Sequence, residues 1–130
     1  MQELGFKSML KMPYEEAVVK VTDALKAEGF GVLTTIDVKD TMKKKLDVDF
    51  RKYTIMGVCN PPLAHKVLST RLDMGLLLPC SVIVYEDGDG SIVNILDPLS
   101  MTDFIPEPEL KATMGEARAR LKRVADSLAR

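Results

Sequence analysis

Hydrophobic and polar residues alternate along the segment from Leu4 to Met12, where four apolar side chains share one face and charged side chains occupy the other. This alternation predicts a strand that is buried on one side. From Tyr14 to Glu28 the apolar residues recur every three or four positions instead, which predicts a helix. Gly29 is placed to end that helix, because glycine adopts the left-handed conformation without steric cost.

The next segment predicts a strand over residues 30–38 and a short helix over residues 41–46, with Asp37 or Asp40 as its cap. The run Lys43-Lys44-Lys45 lies in this helix. It is typical of a solvated face, and it could also hold an anionic ligand, in which case Lys45 is a candidate binding residue. Four apolar side chains of the strand are expected on one face: Phe30, Val32, Ile36 and Val38.

The C-terminal half predicts two strands and a long helix. Residues 76–86 are apolar nearly throughout, as in a central strand buried on both faces. Asp87-Gly88-Asp89-Gly90 predicts a hairpin turn into a strand over residues 91–96. A loop is expected over residues 97–106, followed by a helix over residues 107–130. The apolar stripe of that helix has four-three spacing and consists of Leu110, Met114, Ala117, Leu121, Val124 and Leu128.

A second face of the last helix carries only small residues, Ala112, Gly115 and Ala119. Another helix could approach closely there, so we predict a homodimer, the commonest form of association between identical chains. The alternative is that these residues are helix formers on a solvated surface. The element order β-α-β-β-α-β-β-α predicts one α+β domain over residues 1–130. Its architecture is two-layer, with a mixed or antiparallel sheet and helices mainly on one face.

The stretch around Cys59 carries the strongest local signals. A strand is predicted from Tyr53 to Val58 and a helix over residues 61–70. Asn60 is suited to cap this helix, and Pro61 fits its first position because the backbone angle of proline is already helical. The chain is therefore predicted to turn sharply from strand to helix at Cys59 and Asn60.

This turn makes Cys59 and Asn60 candidate binding residues. The positive end of a helix dipole favours a thiolate, which is one route to a reactive cysteine. The two prolines at 61 and 62 remove two of the four open amides, however, and an unpaired cysteine is more often a small buried side chain. Cys80, in the strand that follows, is the second thiol.

His65 is the only histidine. On the predicted helix it projects away from the apolar stripe, so it is expected at the surface, with a ligand or base role as the alternative. A zinc site would need Cys59, Cys80, His65 and a carboxylate such as Asp37 to converge. A strand-helix-strand crossover normally joins parallel strands, which would put the two thiols at opposite edges of the sheet unless the second strand is antiparallel.

Length and charge restrict the classes of function. The chain has 130 residues, 46% of them hydrophobic, which is enough for one core. With a net charge of −1 and no basic face, no nucleic-acid partner is expected. There is neither a signal peptide nor a long apolar run, so we predict a cytoplasmic protein without membrane contact. No complete catalytic or nucleotide-binding motif is present, and no cofactor or bound metal is predicted.

The chain resembles the family called domain of unknown function 302. The resemblance implies a small bacterial or archaeal α+β domain that stands alone and is dimeric. Thr35 and Ser81 depart from the family pattern, where Glu and Asn are more usual, and the position of His65 varies. Four ordered motifs carry the resemblance: Gly29-Phe30-Gly31-Val32-Leu33-Thr34, Ile36-Asp37-Val38, Tyr53-Thr54-Ile55-Met56-Gly57-Val58-Cys59-Asn60-Pro61-Pro62-Leu63-Ala64 and Gly75-Leu76-Leu77-Leu78-Pro79-Cys80.

The sequence thus favours a dimeric module that binds a small ligand or a partner near Cys59 and Asn60. The alternative is a thiol-dependent redox or metal-handling protein that uses Cys59 and Cys80. The candidate ligand-binding residues are Cys59, Asn60, Cys80, His65, Asp37 and Lys45.

Overall fold

The structure, a computed structural model, describes residues 3–100 and 107–129. The predicted loop over residues 97–106 lies partly outside the described residues, as does residue 130 of the last predicted helix. The elements in chain order are β1 (Gly5–Leu10), α1 (Tyr14–Ala27), β2 (Gly31–Asp37), α2 (Val38–Leu46), β3 (Tyr53–Cys59), α3 (Pro61–Thr70), a 3₁₀ helix (Leu72–Leu77), β4 (Cys80–Asp87), β5 (Gly90–Leu96) and α4 (Pro108–Leu128).

Single residues determine where α1 ends and where α2 and α3 begin. Gly29 adopts a φ of +86° two residues after the last residue of α1, which confirms the predicted helix end. Asn60 caps α3, since its Oδ1 accepts a hydrogen bond from the Leu63 amide at 3.3 Å. Asp37 caps α2 by accepting from the Asp40 amide at 2.9 Å. This cap starts α2 three residues earlier than predicted.

The strands form one antiparallel sheet in the order β1-β5-β4-β3-β2, which confirms the predicted α+β class. The helices α1 and α4 pack together over one face of the sheet. The apolar stripe of α4 is buried along its length, as predicted. The main core is formed between these helices and the sheet, and its fully buried members include Val21, Leu25, Val82, Val84, Val93 and Leu121.

The side chains of β2 do not all point to the predicted faces, because the strand contains a β-bulge. Val32 pairs with Val58, but Thr34 pairs with Gly57, so one extra residue lies between the two pairs. An extra residue reverses the alternation of side chains that follow it. Val32 therefore packs against the core, whereas Ile36 points away from it and is 50% exposed. The prediction that both share one face was wrong.

The strand predicted over residues 76–86 begins later and is covered on one face only. Residues 72–77 form the 3₁₀ helix, and Leu76 is 87% exposed. In β4, Val84 is completely buried while Ile83 is half-buried, because consecutive side chains point to opposite faces. We call the sheet surface that points away from α1 and α4 the open face. Its apolar side chains are Met9, Ile36, Tyr53, Ile55, Ile83, Tyr85, Ile92 and Leu96. Ile92 is the buried member of this set, at 3% exposure.

The connection from β3 to β4 also differs from the expected crossover. These strands are antiparallel, and Val58 pairs with Cys80. The intervening residues 60–79, which we call the helical arm, leave β3 and return to the same end of the sheet. The arm and the first half of α4 share a second, smaller hydrophobic cluster of Val67, Met74, Leu110 and Met114.

Candidate functional site

A cavity of about 270 Å³ lies where the helical arm meets the main core. Its walls come from both hydrophobic clusters: Val58 and Cys80 belong to the main core, whereas Val67 and Met114 belong to the smaller one. None of its lining side chains carries a formal charge in its usual ionisation state. The lining residues are Phe30, Leu33, Val58, Cys59, Asn60, Leu63, Ala64, Val67, Leu68, Leu78, Pro79, Cys80, Thr113, Met114 and Ala117.

Asn60 is fixed by its role at the start of α3. It is 6% exposed, its side chain accepts from Leu63, and its carbonyl accepts from the Ala64 amide at 2.9 Å. Gly29 lies directly against it, because a Cβ at position 29 would stand 2.9 Å from Asn60 Nδ2. Gly29 therefore serves two purposes, since it ends α1 and leaves room for the Asn60 carboxamide. The strand-to-helix turn that the sequence predicts thus forms part of the cavity wall.

Cys59 and Cys80 both line the cavity, and both thiols are free. Burial raises the pKa of the Cys59 thiol. Burial also raises the pKa of the Cys80 thiol, and the neighbouring Cys59 adds to this effect. Burial thus outweighs any lowering of the Cys59 pKa by the helix dipole, and the two prolines remove amides from that helix end. Both side chains are neutral thiols near pH 7.

The structure brings three of the six candidate binding residues to the cavity, namely Cys59, Asn60 and Cys80. His65 is exposed on α3 and does not line it. Asp37 lies at the opposite end of β2, where it caps α2, and Lys45 is exposed on α2. Binding through any of the six residues remains a prediction. The other lysines of the run have acidic partners: Lys43 contacts Asp47 at 2.9 Å and Lys44 contacts Asp40 at 3.0 Å.

The residues of the hypothetical zinc set do not converge. Asp37 pairs with Thr54 at one end of the sheet, whereas Cys59 pairs with Gly31 at the other. Within residues 3–100 and 107–129, no group of three or more histidine, cysteine or acidic side chains is placed to hold a metal ion. The same described residues include no helix that is both long and apolar enough to cross a membrane.

The sequence did not predict the far wall of the cavity. Met114 and Ala117 belong to the apolar stripe of α4, which indicated core packing and gave no sign of a void beside it. Leu33 stands at the β2 bulge and is 64% exposed, although it lines the cavity. Thr35 and Ser81, the two departures from the family pattern, do not line this cavity.

Comparison with known proteins supports the resemblance. The family model described as "Domain of unknown function DUF302" matches residues 6–128. An "Uncharacterized protein" of Aquifex aeolicus (strain VF5) is 31% identical over 81 residues, covering 62% of this chain and 50% of that protein. The chain thus spans about half the length of that relative. The crystal structure of the uncharacterized conserved protein DUF302 from Bacillus stearothermophilus is 28% identical and superimposes with a TM-score of 0.88, covering 99% of this chain and 100% of that one.

Proposed function

This chain belongs to the DUF302 family, whose name assigns no activity, and from the site itself we propose that it is a small binding module. The proposed ligand site is the cavity beside Cys59, Asn60 and Cys80. One observation carries the proposal: the cavity lies between two separate hydrophobic clusters, where the helical arm and the main core leave about 270 Å³ unfilled. Concave, mainly apolar sites with a few polar groups are the usual form of small-molecule pockets.

Methionine methyl groups provide the test. Met114 lines the cavity, whereas Met9 lies on the open face at 75% exposure. We expect members of a panel of small aromatic and aliphatic compounds, charged and uncharged, to shift the ¹³C-methyl resonance of Met114 but not that of Met9. Ala64→Phe, which fills the cavity from α3, should abolish the shift.

Two controls keep this test informative. Ala112→Phe makes the same change at an exposed position of α4 and should leave binding intact. If Ala64→Phe does not fold, as judged by circular dichroism, Thr113→Leu fills the cavity from the opposite wall. If no compound of the panel moves Met114 in the folded wild-type protein, the cavity is not a ligand site.

A thiol-dependent redox or metal-handling role is the second candidate function. The pairing of Val58 with Cys80 favours it, because this register brings Cys59 and Cys80 to the same cavity. The raised pKa values of both thiols argue against reactivity near neutral pH. Protein purified without chelator would hold about one zinc or copper ion per chain if the metal role is correct. Cys59→Ser and Cys80→Ser should each remove that ion.

We also propose that the module is a homodimer. Two surfaces are available for it: the small-residue face of α4, where Ala112, Gly115 and Ala119 are exposed, and the open face of the sheet. The open face has the better support because it is extensive and apolar. Where β3 begins, Tyr53 and Tyr85 stack on this face with ring centroids 5.3 Å apart.

The size of the open face fits a second copy. Five strands about 4.8 Å apart, each about seven residues long, present a surface of roughly 500 Å². Two such faces would bury about 1,000 Å² in total, which is near the lower limit for a specific interface. A pairing of identical faces about a twofold axis needs no other partner.

A further inference from the structure

We propose that the ligand of the cavity is an uncharged, mainly apolar molecule of about ten non-hydrogen atoms. This inference rests on the proposed function and adds the chemical class of the ligand. It follows from the lining of the cavity, from its volume and from the contacts of the guanidinium group of Arg120.

The lining offers no counter-charge. Its polar side chains are Asn60, Thr113, Cys59 and Cys80. The Thr113 hydroxyl already donates to the Glu109 carbonyl at 3.1 Å. A carboxylate or an ammonium group in this cavity would lose its hydration without gaining an ionic partner, and burying an unpaired charge is strongly unfavourable. The lining therefore selects against ions of either sign.

The volume limits the size of the ligand. An apolar cavity of about 150 Å³ holds benzene, and one water molecule occupies roughly 30 Å³ of the liquid. A cavity of about 270 Å³ therefore accommodates a two-ring aromatic molecule or an aliphatic chain of about eight carbons. One lining residue, Leu33, is 64% exposed, so an apolar side chain of the cavity wall is in contact with solvent.

Arg120 is the cation to consider for a charged ligand, since its guanidinium group and the Asn60 carboxamide both lie close to Gly29. A Cβ built on Gly29 would be 2.9 Å from Asn60 Nδ2 and 3.4 Å from Arg120 Nη1. Arg120 does not line the cavity, and its Nη1 donates to the Glu28 carbonyl at 3.2 Å. Its Nη2 lies 3.5 Å from the Glu116 carboxylate. Neither Glu28 nor Glu116 lines the cavity, so these contacts of Arg120 lie outside it.

Three probes of equal chain length and different charge test the inference: 1-octanol, octanoate and octylammonium. Each is titrated into the wild-type protein at pH 7 with ¹³C-methyl methionine labelling, and the dissociation constant is taken from the Met114 shift. We expect 1-octanol to bind at least tenfold more tightly than either ion. Ala64→Phe should abolish binding, and Ala112→Phe should not. Met9, on the open face, reports adsorption outside the cavity.

The outcomes separate the two proposals. Binding of octanoate as tight as that of 1-octanol, abolished by Ala64→Phe, would overturn the inference and leave the ligand site standing. Arg120→Gln would then show whether the guanidinium attracts the carboxylate. Equal binding of octylammonium would overturn the inference in the same way. If none of the three probes shifts Met114 while other compounds of the panel do, the ligand class is wrong although the site is right.

Discussion

The helix-covered face of the sheet and its open face carry similar side chains in different surroundings. Val82, Val84 and Val93 on the covered face have no exposed surface. Ile83, between two of these residues in sequence, is half-buried, and Ile36 is 50% exposed. Because a strand sends consecutive side chains to opposite faces, the apolar sequence of β4 specifies two buried faces. The helices of the described chain bury only one of them fully.

The difference between the two faces follows from where the helices pack. α1 and α4 pack together over the covered face, and α3 belongs to the helical arm at the end of the sheet. The remaining helix, α2, is short and has no buried residue. A large apolar surface left in this state on a folded domain is typical of an interaction site. This difference is the reason for proposing that the open face is where a second copy of the chain binds.

The largest expected effect comes from placing a charge on each face at adjacent positions. Val84→Asp buries an unpaired carboxylate in the main core and should cost more than about 4 kcal/mol, a large part of the roughly 5–15 kcal/mol that stabilises a typical domain. Ile83→Asp should cost about 1 kcal/mol in the monomer, mainly from the low strand propensity of aspartate. Circular dichroism during urea unfolding measures both.

The two variants control for each other, since they share the same substitution type and the same strand. If Ile83→Asp lowers the free energy of unfolding as much as Val84→Asp does, the open face is part of an intramolecular core. The distinction between the two faces would then be wrong.

An intermediate effect is expected on oligomeric state. Light scattering should show a dimer for the wild type and a folded monomer for Ile83→Asp, because aspartate cannot be desolvated against an apolar partner face without large cost. Ala119→Glu, on the small-residue face of α4, should remain dimeric. The opposite pattern would assign the dimer to α4. A wild-type monomer at high concentration would contradict the homodimer altogether.

The smallest effect concerns the two thiols, Cys59 and Cys80, which line the cavity. Because burial raises both pKa values, little thiolate is present at pH 7 and labelling by iodoacetamide should be slow. The rate at Cys59 should rise nearly tenfold between pH 7 and pH 8, since the thiolate fraction grows tenfold per pH unit below the pKa. Cys80, which is more deeply buried, should react several-fold more slowly.

Mass spectrometry assigns the label to each cysteine. Rapid labelling of Cys59 at pH 7, with little dependence on pH, would indicate a lowered pKa and would restore the thiol-dependent function.

The sequence by itself determined the local elements, because their signals are short-range. The period of the α4 stripe, the glycine after α1 and the Asn60-Pro61 start of α3 each depend on a few neighbouring residues, and the structure confirms all three. The apolar density of β4 likewise indicated a central strand, and β4 is the middle strand of the sheet. These features placed Cys59 and Asn60 at a sharp turn, which proved to be one wall of the cavity.

Only the tertiary structure decided how these elements meet. A single extra residue in β2 reversed the face of Ile36, and the return of the helical arm made β3 and β4 antiparallel. That return put Cys80 beside the end of β3 and brought Met114, more than 50 positions after Asn60 in sequence, to the same cavity. The existence of a void between two hydrophobic clusters depends on how well distant surfaces fit. An apolar pattern is the same whether its side chains fill a core or line a cavity.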